Sequence, residues 1–134
     1  PACETVFSVL DDNVATDFFV PTDANCLPGT DGPPTIAAAM VGDKGAQLIP
    51  SKSCVLPLGI PGSTRVIMPR VNVANVPMSV ASEGMLTEIY RCTFVRGPDN
   101  AWSMTFPEGD AMTINPGPGR LSRLGFLNFE LRPQ

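Results

Sequence analysis

The chain has 134 residues, a length that suits one ordinary domain and lets it bury enough surface to fold without a metal. Charged residues make up only 16% of it and hydrophobic residues 43%, with a net charge of −4 at pH 7. The nine basic residues are scattered, which excludes the clustered positive face that nucleic-acid binding requires, and no apolar stretch reaches the length of a membrane-spanning helix.

The first segment, Pro1–Leu10, reads as an extended N-terminal arm, with a strand over Thr5–Leu10 and another over Phe18–Val20. Proline in the first position suits a trimmed initiator methionine better than a signal-peptidase site, so the expected origin is cytoplasmic. The stretch from Cys26 to Pro34 carries Pro28, Gly29, Gly32, Pro33 and Pro34 and reads as a loop. Thr35–Val41 is ambiguous between a helical turn through its alanines and a small-residue strand. Gln47–Ile49 and Ser53–Leu58 follow as strands, interrupted by Pro50 and Pro57.

Between Val55 and Ala81 the only charges are Arg65 and Arg70, and prolines recur at Pro57, Pro61, Pro69 and Pro77. Proline cannot donate to a sheet ladder, so the segment is expected at sheet edges or bulges. Its apolar residues Val66, Ile67, Val71, Val73, Val76 and Met78 are the candidate assembly interface; the alternative is an extended pair of core strands.

The C-terminal third, 86–132, shows period-two alternation four times. Leu86, Tyr90, Cys92 and Phe94 share one face; Trp102, Met104 and Phe106 alternate with Ser103 and Thr105; Met112 and Ile114 flank Thr113; Leu127, Phe129 and Leu131 alternate with Asn128 and Glu130. Turn residues separate the runs at Gly97–Asn100, Pro107–Asp110 and Asn115–Gly119. This pattern predicts an antiparallel meander with one buried face. Frequent proline and glycine leave no room for a long helix. The expectation for residues 1–134 is therefore a single all-β domain: an antiparallel sandwich or flattened barrel, jelly-roll or immunoglobulin-like, of about seven to nine short strands.

Four cysteines, Cys3, Cys26, Cys54 and Cys92, are candidates for two disulfides, and equally for reduced, buried thiols. A bridge closing loops of such length would contribute about 3–4 kcal/mol. No two lie in the close pairs that zinc sites use, so no metal is expected.

The chain contains no histidine, which removes Ser-His-Asp and Cys-His nucleophile systems and the H-E-x-x-H metal site. No phosphate-binding glycine motif occurs, and Pro118 removes an amide from the Gly117–Gly119 turn. Carboxylate pairs remain, Glu83 with Glu88 and Glu108 with Asp110, but both neighbour glycine in expected surface turns, where burial would not raise a pKa. The aspartates at Asp11, Asp12, Asp17 and Asp23, with Asn13 and Asn25, lack a calcium-loop pattern. No catalytic residue or cofactor is assigned. Low charge, missing catalytic groups and the apolar middle segment lead to a non-catalytic structural subunit of a symmetric assembly. It would associate with itself and with a larger shell or fibre, as a capsid-decorating protein of a viral or phage particle does. The alternative is a secreted, disulfide-stapled adhesin or carbohydrate- or protein-binding module, placed outside the cell.

Overall fold

The computed structural model describes residues 6–13, 15–40, 45–98, 102–121 and 123–132. They form twelve strands and one short helix: β1 (Val6–Asp12), β2 (Phe18–Val20), β3 (Thr35–Met40), β4 (Ala46–Val55), β5 (Leu58–Gly59), β6 (Val66–Ile67), β7 (Arg70–Ala74), β8 (Val80–Ser82), α1 (Glu83–Glu88), β9 (Thr93–Arg96), β10 (Trp102–Thr105), β11 (Ala111–Pro116) and β12 (Gly125–Leu131). The mostly-β class agrees with the alternation. The count exceeds the expected seven to nine because several strands are only two or three residues long, too short for a period of two to be visible.

All twelve strands belong to one connected open sheet, in the order β3-β4-β7-β2-β8-β1-β12-β11-β10-β9, with β5 joined to β12 and β6 joined to β5. The expected purely antiparallel pairing is corrected: β1 runs parallel to β8, and β2 parallel to β7. Long connections carry the chain between these parallel neighbours, as parallel pairing requires.

The last four strands form the expected meander, β9-β10-β11-β12, with Met104, Met112, Ile114, Leu127 and Phe129 buried. Gly109 takes a positive φ of 103° in the β10–β11 turn, a conformation that L side chains rarely adopt. That turn is closed by Phe106 N–H to Asp110 O at 2.8 Å.

Residues 83–88, however, are helical. Ser82 caps α1 by accepting from Met85 N, and Thr87 Oγ1 donates to Glu83 O. Leu86 and Tyr90 are four apart, a spacing that keeps them together on a helix as well as on a strand, so alternation could not separate the two. Arg91, at φ 60°, then turns the chain into β9.

The N-terminal arm is also corrected. Residues 1–5 lie outside the described residues, but Val6–Leu10 is an interior strand, hydrogen-bonded to β12 on one side and, through Leu10–Asp12, to β8 on the other. Val9, opposite Leu127 in the register, is buried in the large core and anchors the strand.

The core gathers side chains from β1, β2, β4, β5, β7 and the meander around Phe18, Leu56, Leu58, Ile60, Phe106 and Phe129. A smaller cluster, Phe19, Ala37 and Ala74 with Ile49, Val76 and Val80, packs elsewhere. Phe18 and Val20 enter the large core and Phe19 the small one, so β2 is covered on both faces.

Candidate functional site

The middle segment is mixed: its short strand β6 pairs only with β5 among the described residues, while the rest is mostly interior. Pro57, Pro61, Pro69 and Pro77 each sit in a connection between strands, where a missing amide interrupts no ladder. Strand β7 lies inside the sheet, between β4 and β2. Of the candidate interface residues, Ile67 and Val71 are buried in the large core. Val73 packs against that core and Val76 against the small one; Val66 and Met78 are half-buried. Four of the six thus pack in or against the two cores, and Val66 and Met78 are half-buried outside them.

An exposed apolar surface lies on the β3–β4 hairpin, while Val6, Met68, Ile89, Val95 and Leu124 are exposed elsewhere. The hairpin register sets Ile36 opposite Pro50 and Ala38 opposite Leu48. Paired residues share a face, and these four are exposed, Ile36 at 66% and Leu48 at 74%. The other face carries Ala37 and Ile49 into the small cluster. Strand β3 lies at the end of the sheet order and pairs only with β4 among the described residues. Its sequence, Thr-Ile-Ala-Ala-Ala-Met, has no charge and no proline, so it lacks the usual guards against edge-to-edge pairing.

Alternation along β4 puts Leu48, Pro50 and Lys52 on the same side as Cys54, which is fully buried. What covers that side is the loop 21–34. A disulfide joins Cys26 to Cys54, with 6.0 Å between the Cα atoms. Leu27 N–H donates to Val55 O at 2.9 Å, and Thr30 Oγ1 accepts from Val55 N at 3.0 Å. Arg70 donates to Thr30 O and to Ser53 Oγ, and Asp23 pairs with Lys52. Among the described residues these ties end at Lys52, and the sheet face continues beyond it with Pro50 and Leu48 exposed. Pro50 sits beyond the last β4–β7 pair, Ser51 with Ala74.

Of the other cysteines, Cys92 is a free, buried thiol that burial pushes up to about 11, and Cys3 lies outside the described residues. Trp102 is half-buried, packed on the core with Arg96 over its ring at 5.2 Å.

Of the candidate carboxylates, Glu108 and Asp110 share one cluster and Glu83 lies in another. Glu108 and Asp110 both pair with Arg65, at 2.6 and 2.7 Å. Arg65 and a hydrogen bond from Ser63 hold the Asp110 carboxyl below its ordinary value. These two acids share one cation. Glu83 meets Asp11, from β1, instead of Glu88, and Arg96 joins both. Burial, with the Glu83 carboxyl beside it, pushes Asp11 up to about 7. The expectation that Glu83 sits in an open turn is thus corrected: Glu83 begins a capped helix packed near the end of β1.

Among the described residues no group of three or more potential ligands could hold a metal ion, and no helix is long and apolar enough to cross a membrane. Asp12, Asp17 and Asp23 do not converge: Asp12 accepts from Ala15 N, Asp17 from Thr16, and Asp23 pairs with Lys52. No protein-family model matches the chain, and neither a curated protein nor a solved structure is detectably similar to it.

Proposed function

We propose that the chain is a non-catalytic structural subunit that assembles with further copies of itself, and with a larger shell or fibre, in the manner of a protein that builds or decorates a viral or phage particle. The carrying observation is the β3 edge: an uncharged terminal strand beside an exposed apolar face of Ile36, Ala38, Leu48 and Pro50. A second subunit seated there would cover that face and satisfy the outer backbone groups of β3. The lack of histidine and the pairing of Glu108 and Asp110 with Arg65 support the absence of catalysis.

We infer for the overall shape that the sheet curls into a sandwich or flattened barrel, of jelly-roll or immunoglobulin-like type. Strands as distant in the order as β4 and β10 contribute Cys54 and Met104 to one core, which a flat sheet would keep apart.

Sedimentation velocity over a range of concentrations tests assembly. The wild type is expected to associate, and Leu48→Lys and Ile36→Lys to remain monomeric while folded, since lysine blocks edge pairing. A wild-type protein that stays monomeric at the highest concentration, and docks on no larger particle, would sink the proposal.

The Cys26–Cys54 bridge favours a second reading, a secreted adhesin or carbohydrate- or protein-binding module, because such bonds persist in oxidising compartments. A monomer isolated from outside the cell with this bridge formed would put it first.

A further inference from the structure

Backbone groups along a strand point alternately to its two edges, and the bonds of β4 show which residues point where. Leu56 N–H donates to Pro69 O at 3.1 Å, toward β7, while Val55 O and Ser53 O accept from Leu27 and Gly32 of the loop on the other side. Ser51, Ile49 and Gln47 continue that odd-numbered series toward β3. Their register partners Thr35, Ala37 and Ala39 therefore turn their amides and carbonyls to β4, and Ile36, Ala38 and Met40 turn theirs outward. Pro50 belongs to the even-numbered side, beyond the last β4–β7 pair, so its missing amide interrupts no bond. Among the described residues the outward row of β3 has no backbone partner.

This row is complementary to itself. Run antiparallel to a second β3 about a two-fold axis at Ala38, it sets Ala38 opposite Ala38 and Ile36 opposite Met40, and each pair exchanges both of its N–H···O=C bonds. Moving the axis to Ala37 would set Met40 against Pro34, which has no amide to give. No charge meets a charge, because β3 carries none although the whole chain bears −4. Copies with the same net charge repel, so an uncharged edge is where they can approach closely. The sheet's other terminal strand, β9, is guarded by Arg96.

We propose that two copies of the chain join their β3 strands antiparallel across a two-fold axis at Ala38, making one continuous sheet through both subunits. This pairing rests on the assembly proposed for the β3 edge and narrows it: the edge joins like copies, and the face beside it is left for the larger shell. A contact that uses the same patch on both partners closes at the dimer. The axis stands perpendicular to the sheet, so the exposed faces of Ile36, Ala38, Leu48 and Pro50 from the two copies meet on one side of it as a single apolar surface.

Cysteine cross-linking with peptide mapping, alongside sedimentation velocity, tests the pairing. In the dimer the Ala38 Cα atoms lie about 5.5 Å apart, within disulfide reach, and the Ile36 Cα atoms more than about 13 Å apart. Mild oxidation of Ala38→Cys is expected to give a dimer linked from 38 to 38, and Ile36→Cys none linked from 36 to 36. Ala38→Pro removes only an outward amide and leaves the β3–β4 ladder whole. It is expected to raise the concentration for half-association at least about tenfold. A wild type that associates, with Ala38→Pro associating as readily or Ala38→Cys giving no such link, would overturn the paired edge and leave assembly through another surface standing. A wild type that is monomeric at every concentration would overturn both. Should Ala38→Pro not fold, the cross-link decides alone: a 38-to-38 link supports the pairing, and its absence from associated Ala38→Cys ends it.

Discussion

The Arg65 guanidinium donates from Nε to Asp110 Oδ2 at 2.7 Å, tying the turn after β5 to the hairpin between β10 and β11. Ser63 donates to the other Asp110 oxygen at 3.0 Å, so both oxygens are engaged. With its pKa lowered, Asp110 binds fewer protons in the folded chain than in the unfolded one at acid pH. Its contribution is therefore present above the ordinary carboxylate value and lost as the pH falls through the lowered one. Asp110→Asn is expected to reduce stability at neutral pH and to flatten the acid limb below about pH 4, measured by urea unfolding across pH. An unchanged acid limb would show that this pair contributes nothing.

Asp11 has the opposite sign. Raised to about 7, it keeps its proton in the folded state where the unfolded chain has lost it. Stability is then highest in the weakly acidic range and falls as the pH rises toward about 7, by up to about 1.4 kcal/mol per pH unit from this site. Above that value the loss levels off. Asp11→Asn removes the slope. A wild-type unfolding free energy that rises from pH 5 to pH 7 and does so equally in the variant would contradict this assignment.

How far the sequence reaches depends on the length of each signal. Leu127, Phe129 and Leu131 alternate long enough for β12 to be legible, and Trp102–Phe106 likewise. Two-residue strands such as β5 and β6 carry no period at all, and the parallel pairing of β1 with β8 depends on contacts distant in sequence. The same limit explains the surface. Val71 looks like an interface candidate because apolar residues at an edge and in a core read alike; only the partners on both sides of β7 decide. The alanines of β3 favour a helix locally and sheet pairing overrides them, which hid the hairpin that exposes Ile36 and Leu48. Asp11 and Glu83 meet across a long sequence distance, and no local spacing announces such a pair.

Ser82 is fully buried, and its hydroxyl has two tasks: it accepts from Met85 N at 3.1 Å and donates to Ala15 O at 2.8 Å. Ser82→Ala would leave both backbone groups without this partner and uncap α1. The expected loss is about 1–2 kcal/mol, read as a lower urea midpoint at constant m-value. A loss well below that range would mean that water replaces both bonds.

The Cys26–Cys54 bridge fastens the loop 21–34 to β4 across a separation of 28 residues. Cross-linking restricts the unfolded chain, so Cys26→Ser with Cys54→Ser is expected to cost about 3 kcal/mol and to make the protein indifferent to reductant. Cys92 should behave differently. It is buried at 3% exposure with its thiol pushed up to about 11, so very little reactive thiolate is present at neutral pH. Alkylation of the native protein followed by peptide mapping should leave Cys92 unlabelled until denaturant is added, whatever the redox state of the other pair. Rapid labelling of Cys92 under native conditions would mean that the α1–β9 connection opens far more readily than its packing against the core implies.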